Sequence, residues 1–297
     1  MKSARFAYER PGDLAALLAR LAEAGDGVKL MAGGQSLGPM LNLRLAEPER
    51  VLDITGIPEL RRAAIEGDTL VLGACVTHAD IEDGRVPDLT GGAMARVATA
   101  IAYRPVRNRG TIGGSLVHAD PAADWVSALV ALGAEVELVT ASGRRRLAVE
   151  RFVTGALDVA LAPGEMLVAV RIPALSPGAA WGYAKHCSKI GEFAHAIGAV
   201  RIEPDAGRAR VVVGAIERAP LLVPDPRDLF GGRIGRDFGE RFDARAAEAV
   251  LRQAGMTDAV ARHVHVTVLG RAVAQAAAPL PSTALPPSPT RTVSEAA

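Results

Sequence analysis

Cysteine is nearly missing from this 297-residue chain, which has only Cys75 and Cys187. An iron–sulfur cluster draws on a set of thiolates that two residues cannot supply, so the chain is not expected to hold one by itself. Two thiols so far apart fit a reducing compartment, and a cytoplasmic location is expected. Aromatic residues make up 4% of the chain. They form no stripe with basic residues, so nucleic acid is not an expected partner. An excess of one charge is lacking too, since 34 basic against 33 acidic residues leave a net charge of +1. No apolar run reaches the roughly 18 residues of a membrane span. The opening "MKSARFAYERPGD" has no signal-peptide core, so neither export nor membrane insertion is expected. No Ser/His/Asp set or close carboxylate pair stands out. Histidines such as His186, His195, His263 and His265 show no ligand spacing, so no metal site is expected in this chain.

What is present is an ordinary globular balance, 49% apolar and 23% charged, over a length that suggests two domains. "GDLAALLARLAEAG" has helical spacing, with Asp13 as N-cap and Gly25 as stop. "VKLMAGG" and "ERVLDITG" read as strands, and "RRAAIEGDTLVLGACV" as a hairpin turning at Gly67-Asp68. Helical patterns follow near 89–100 and 124–133, with hairpin pieces at 134–149 and 166–172. The Arg144-Arg145-Arg146 run belongs to a solvated hairpin end. Beyond a linker near 173–180, strands are expected at 181–188, 194–203 and 207–217, then helices near 244–254 and 257–277. No strict βαβ repeat emerges, so the expected class is α+β. The expected division is 1–175, with an internal boundary near 56–60, then 176–277, then a disordered Pro-rich tail over 278–297.

Two loops share a composition: "AGGQS" at 32–36 and "TIGGS" at 111–115. Either one alone reads as a tight turn. Together they suggest two backbone nests gripping the halves of one pyrophosphate, since glycine lets N–H groups approach an anion. Ser36, Thr111 and Ser115 would add hydroxyls. Gly33 and Gly38 have P-loop spacing, but Pro39 and Met40 stand where Lys and Ser/Thr are required. No G-x-G-x-x-G follows a strand, which disfavours a Rossmann site. Downstream, Asp120 reads as the cap of a helix opening at Pro121. Asp124 reads as an acceptor for a ligand hydroxyl.

The stretches "AGGQSLGPMLNLRL", "VLDITGIPEL", "VRNRGTIGGSLVHADPAADW" and "GYAKHCSKIGEFA" carry a resemblance over about residues 1–277. The chain resembles the FAD-binding medium subunit of the molybdenum hydroxylases, as in carbon monoxide dehydrogenase and the flavin domain of xanthine dehydrogenase. The resemblance implies a two-subdomain FAD-binding fold followed by a C-terminal three-stranded sheet with helices. It places FAD against Leu30, Met31, Ala32, Gly33, Gly34, Gln35, Ser36 and Leu37 of the first loop. Thr111, Ile112, Gly113, Gly114 and Ser115 would meet the cofactor from the other side. Asp124 matches a cofactor-binding aspartate, Ile101 and Leu167 match flavin-pocket positions, and Lys185 matches a lysine near the ring. Phe193 stands where several relatives have a tyrosine.

By the same resemblance, the chain is an electron-transfer subunit with no catalytic side chain of its own. Substrate would be oxidised at a molybdenum cofactor in a large subunit. Two-iron clusters of a small iron–sulfur subunit would relay electrons to FAD, which passes them to an external acceptor. The expected assembly is a dimer of heterotrimers, with the Arg104, Arg107 and Arg109 cluster as one candidate docking surface. The alternatives are a stand-alone two-loop flavin oxidase, or a non-catalytic nucleotide-binding assembly module.

Overall fold

The computed structural model describes residues 2–23 and 25–278. The stretch from 279 onward, most of the tail expected to be disordered, lies outside the described residues. The first helix runs Leu14–Glu23, and Asp13 Oδ1 accepts the Ala16 N–H at 2.8 Å as an N-cap should. Leu17 is fully buried beneath it. The helix links strand Ala7–Glu9 to Val28–Met31, and both pair in parallel with Arg50–Asp53 between them. Such parallel pairing needs the intervening crossover.

A short 3-10 turn, Pro58–Arg61, leads to a five-stranded antiparallel sheet. Its order is Ala63–Glu66, Thr69–Gly73, Met166–Pro173, Glu135–Thr140 and Gly143–Ala148. The hairpin expected at Gly67-Asp68 is there, with Gly67 at φ +63°. Gly143–Ala148 carries the three consecutive arginines at the sheet edge, where all three are exposed. The helix expected from 89 opens only at Ala93. Asp88 first ties down a turn by accepting the N–H groups of Thr90 and Gly92.

Helix Asp124–Leu132 is buried at all nine positions. That explains "DWVSALVAL", a helical segment with no polar face. It packs on the five-stranded sheet on one side and on a second antiparallel sheet on the other. The second sheet comprises Ala180–His186, Ala196–Glu203 and Arg208–Gly214, which are the three strands expected. A two-residue strand, Leu221–Leu222, adds a fourth. Period-2 alternation splits its side chains between two cores. Ile197, Ala199 and Val212 face the buried helix. Val200, Ile202, Val211 and Val213 face a layer that includes Ala244–Gln253 and Ala259–Ala277.

Two glycines set how closely the last helix approaches. A Cβ on Gly182 would overlap the Ala272 carbonyl oxygen, and one on Gly198 would sit 2.8 Å from Leu269 Cα. Gly182→Ala should therefore cost about 1–3 kcal/mol through overpacking against rigid backbone. Gly143→Ala, at a position with open space around it, serves as the control. Urea unfolding of the two variants measures the difference, and equal midpoints would refute the packing assignment.

Candidate functional site

The two glycine loops lie face to face. Gly33 follows strand Val28–Met31, and a Cβ there would overlap the Arg109 carbonyl just before the second loop. Arg109 Nε donates to the Gly33 carbonyl at 3.3 Å, and Gln35 Nε2 does so at 3.2 Å. A Cβ on Gly114 would lie 3.8 Å from Ala32 Cβ. Gly34 takes φ +71°, in the left-handed region that glycine tolerates. Through this turn the N–H groups of residues 33 to 37 find no protein acceptor among the described residues. Five successive unpaired donors form an anion nest.

The second loop is built differently. Ile112 N–H donates to Val76 O at 3.0 Å, and Gly113 N–H to Ala74 O at 3.1 Å. Gly114 N–H donates to Thr111 Oγ1 at 3.1 Å, and Ser115 N–H to Thr111 O at 3.0 Å. The expected N–H nest is therefore spent inside the chain on this side. Thr111 Oγ1 accepts and keeps its own proton to donate, and Ser115 is half-buried with no hydroxyl partner among the described residues. Ile112 is fully buried, and a Cβ on Gly113 would lie 2.6 Å from Ala74 Cβ. These two residues anchor the loop and leave exposed Gly114 and half-buried Ser115 at its surface.

Beneath the loop, His78 N–H donates to Gly110 O at 2.9 Å, and Trp125 Nε1 donates to His78 Nδ1 at 3.0 Å. Burial, then the nearby Arg107 charge, pushes the His78 imidazole down to about 4. It stays neutral and accepts from the indole.

Asp124 opens the buried helix. Asp120 does not cap that helix: its Oδ1 accepts the Ala122 N–H at 2.9 Å, closing a turn, and the helix begins at Asp124 instead of Pro121. Asp124 Oδ1 accepts from Tyr183 Oη at 2.6 Å and from Lys185 Nζ at 2.8 Å. Burial pushes the Asp124 carboxyl up against the opposing pull of Lys185. Burial and the Asp124 charge hold Tyr183 well above the usual tyrosine range, so its phenol remains a donor. Asp124 Oδ2 accepts no hydrogen bond from another described residue.

Lys185 Nζ also donates to Ala100 O at 2.6 Å, which brings it beside Ile101 at the end of helix Ala93–Ala100. Ile101 packs on the same core that contains buried Leu167. Leu167 lies at a bulge in its strand, and the next residue, Val168, accepts the Ala74 N–H under the second loop. The structure thus brings the two loops together and pairs Asp124 with Lys185, while Ile101 and Leu167 share one hydrophobic core. Phe193 lies apart, exposed in the loop whose Gly191 closes against the Tyr103 ring.

The expectations missed Tyr183, and gave Arg107 and Arg109 a docking role in place of their bonds around the loops. Tyr183 was detectable, because it lies two residues before Lys185 on one strand and shares its face. The three arginines do not form a free basic patch. Arg104 pairs with Glu82 and Asp83, Arg107 with Glu82, and Arg109 bonds the first loop.

Residues 4–175 match the family described as FAD binding domain in molybdopterin dehydrogenase. The caffeine dehydrogenase subunit beta of a Pseudomonas species is 34% identical over 93% of this chain and 96% of its own. The carbon monoxide dehydrogenase medium chain of Hydrogenophaga pseudoflava is 35% identical over 83% of this chain and 86% of its own. The solved carbon monoxide dehydrogenase of that organism, lacking the Mo-pyranopterin moiety, superposes with a TM-score of 0.83 and 31% identity. That alignment covers 93% of this chain and 98% of the other. Quinoline 2-oxidoreductase from Pseudomonas putida gives 0.81 and 29% identity, over 93% and 98%. The fold is that of a flavin-binding oxidoreductase component. The chain belongs to the FAD-binding medium subunits of the molybdenum hydroxylases, the family of the carbon monoxide dehydrogenase medium chain. No helix among the described residues is long and apolar enough to cross a membrane.

His78 makes the site's support pH-sensitive. An unfolded histidine titrates near 6.5, whereas His78 resists protonation down to about 4. Its stabilising contribution is complete above pH 6.5 and is lost as pH falls to about 4, a change of about 3 kcal/mol. Urea titrations across that window should show this loss, and His78→Gln should remove it. A variant with the wild-type pH slope would contradict the assignment.

Proposed function

We propose that this chain holds one FAD, non-covalently, in the cleft between its two glycine loops. The observation that carries the reading is the run of unpaired N–H groups over residues 33–37, facing a second loop bare of side chain at Gly114. These residues fit a pyrophosphate, which needs several donors and a close backbone approach. In this reading the first loop neutralises the pyrophosphate, and Ser36, Thr111 and Ser115 add hydroxyl donors. Asp124 Oδ2 accepts from a hydroxyl of the cofactor's polyol chain, while Lys185 holds Oδ1 and balances its charge. Ile101 and Leu167 exclude water from the apolar part of the pocket. Bound FAD supplies the redox chemistry, taking up electrons singly and releasing them in pairs.

The wider role follows the family. In that role the chain would take electrons from two-iron clusters of a small subunit, substrate oxidation belonging to a molybdenum cofactor in a large one, and would pass them to an external acceptor. The complex is a dimer of heterotrimers in the cytoplasm. Within the chain, residues 1–175 form the cofactor-binding part, with an internal boundary near 56–60, and residues 176–277 form the C-terminal part. Support comes from the "medium chain" and "subunit" relatives.

Purified chain should show flavin absorption bands. Gly33→Ala, which forces the loops apart, should lower FAD occupancy about tenfold or more if even one N–H bond to a charged oxygen is lost. Circular dichroism checks that the variant folds, and full occupancy in a folded variant would refute the loop assignment. Native pull-down followed by metal analysis should recover molybdenum and iron in partner chains. Substrate oxidation by this polypeptide alone would instead favour a stand-alone flavin oxidase.

A further inference from the structure

We propose that Arg107, held in plane by Glu82, is a positioning residue that sets the Ile101 wall of the flavin pocket. The inference rests on the FAD reading above and extends it to residues outside the two loops and the ion pair.

Helix Ala93–Ala100 ends where its last carbonyls lose their intrahelical partners. The chain then turns sharply, and Ala102 takes φ +41°, in a region that residues with a Cβ rarely adopt. Three successive carbonyls at this turn each meet a cation. Lys185 Nζ donates to Ala100 O at 2.6 Å. Arg107 Nη1 donates to Ile101 O at 2.9 Å and to Ala102 O at 3.1 Å. The rest of the guanidinium fork faces Glu82, with Nε to Oε2 at 2.7 Å and Nη2 to Oε1 at 2.9 Å.

This bidentate pair fixes the guanidinium plane, and the plane fixes both carbonyls. Arg107 and Glu82 are only 12% and 14% exposed in their side chains, so water screens the pair weakly. Glu82 ends helix His78–Glu82, whose start is locked by a capping box between Thr77 and Asp80. That helix begins directly under the second glycine loop. One polar network therefore runs from Glu82 through Arg107 to the carbonyls of residues 101 and 102. Lys185 closes it at residue 100 and at Asp124.

Arg104 supplies a control within the same cluster. It donates to Glu82 and Asp83 but to none of these three carbonyls. A role in general surface charge would be common to Arg104 and Arg107. A positioning role belongs to Arg107 alone. Lysine could keep the charge at 107, but an ammonium cannot engage a carboxylate bidentately while bridging two carbonyls.

The test titrates FAD into the full-length apoprotein and into Arg107→Lys, Arg107→Ala, Glu82→Gln and Arg104→Ala. FAD affinity is read by flavin fluorescence, and the ring environment by visible-region circular dichroism of the bound flavin. Arg107→Ala and Arg107→Lys should each weaken FAD binding about tenfold and alter the visible dichroism. Glu82→Gln should alter the dichroism in the same direction, and Arg104→Ala should match wild type in both readouts. Where Arg107→Ala does not fold, Arg107→Lys decides. Wild-type affinity and dichroism in a folded Arg107→Lys would overturn the inference, as would an Arg104→Ala effect equal to that of Arg107. If the unsubstituted chain binds no FAD, the flavin reading itself falls, and this inference with it.

Discussion

Helix Asp124–Leu132 has no side open to solvent, so each of its polar ends must find its partners inside the protein. Its N-terminus has no side-chain cap, and the Asp124 carboxylate there is answered by Tyr183 and Lys185 from the neighbouring sheet. At its C-terminus, Gly133 turns left-handed at φ +73°. Arg201 Nη1 donates to Leu132 O at 2.9 Å, and Arg210 Nε to Val130 O at 3.0 Å. Positive groups at a helix C-terminus also complement its dipole. The same sheet thus clamps both ends of the helix. Midway, Gly214 approaches so closely that a Cβ would overlap Ser127 Oγ, and that hydroxyl has no hydrogen-bond partner. An unpaired buried hydroxyl costs about 1–3 kcal/mol, which the close packing of the two layers has to offset. The Asp124–Lys185 geometry is therefore a product of layer packing.

The glycines of the two loops divide the work in a way their similar composition conceals. Gly33 and Gly113 permit contact, one with the Arg109 backbone and the other with Ala74. Gly34 permits a left-handed turn that leaves the first loop's N–H groups unpaired. Gly114 keeps the face of the second loop bare. The pinned second loop holds its shape without a ligand, because Val76 and Ala74 accept two of its N–H groups and Thr111 accepts two more. The first loop carries the unsatisfied donors, so it gains most from an anion. In the proposed FAD reading, a pinned loop opposite a donor-rich one would limit the ordering cost of binding.

Local signals were legible in the sequence. The Asp13 cap, the hairpin at Gly67, the glycine pairs and the strand alternation after residue 180 all depend on residues near one another in the chain. What escaped was non-local or too short to register. A two-residue strand at Leu221–Leu222 has no periodicity to detect. Asp120 carries the residue type of a cap, but the chain spends it on a turn to Ala122 before the helix begins. The arginines at 104, 107 and 109 looked like one basic cluster because the carboxylates and the loop carbonyl that engage them lie far away in sequence, at 82, 83 and 33. The Ile112 and Gly113 donors looked free for the same reason, since Val76 and Ala74 lie more than thirty residues upstream.

The match to the FAD-binding family ends at residue 175, yet two partners of Asp124 come from residues 183 and 185. Without that strand, a carboxylate 8% exposed would face an apolar interior with no counter-charge. Removing one partner of such a buried pair costs more than the pair contributes, because the remaining charge stays desolvated. The apolar face of the helix would also lose Ile197, Ala199 and Val212. Lys185 does further work by reaching Ala100 at the start of the Ile101 turn, which Arg107 holds from the opposite side. The surroundings of Asp124 thus draw on side chains from both sides of the family boundary. They depend on a strand that the glycine motifs, read alone, would never implicate.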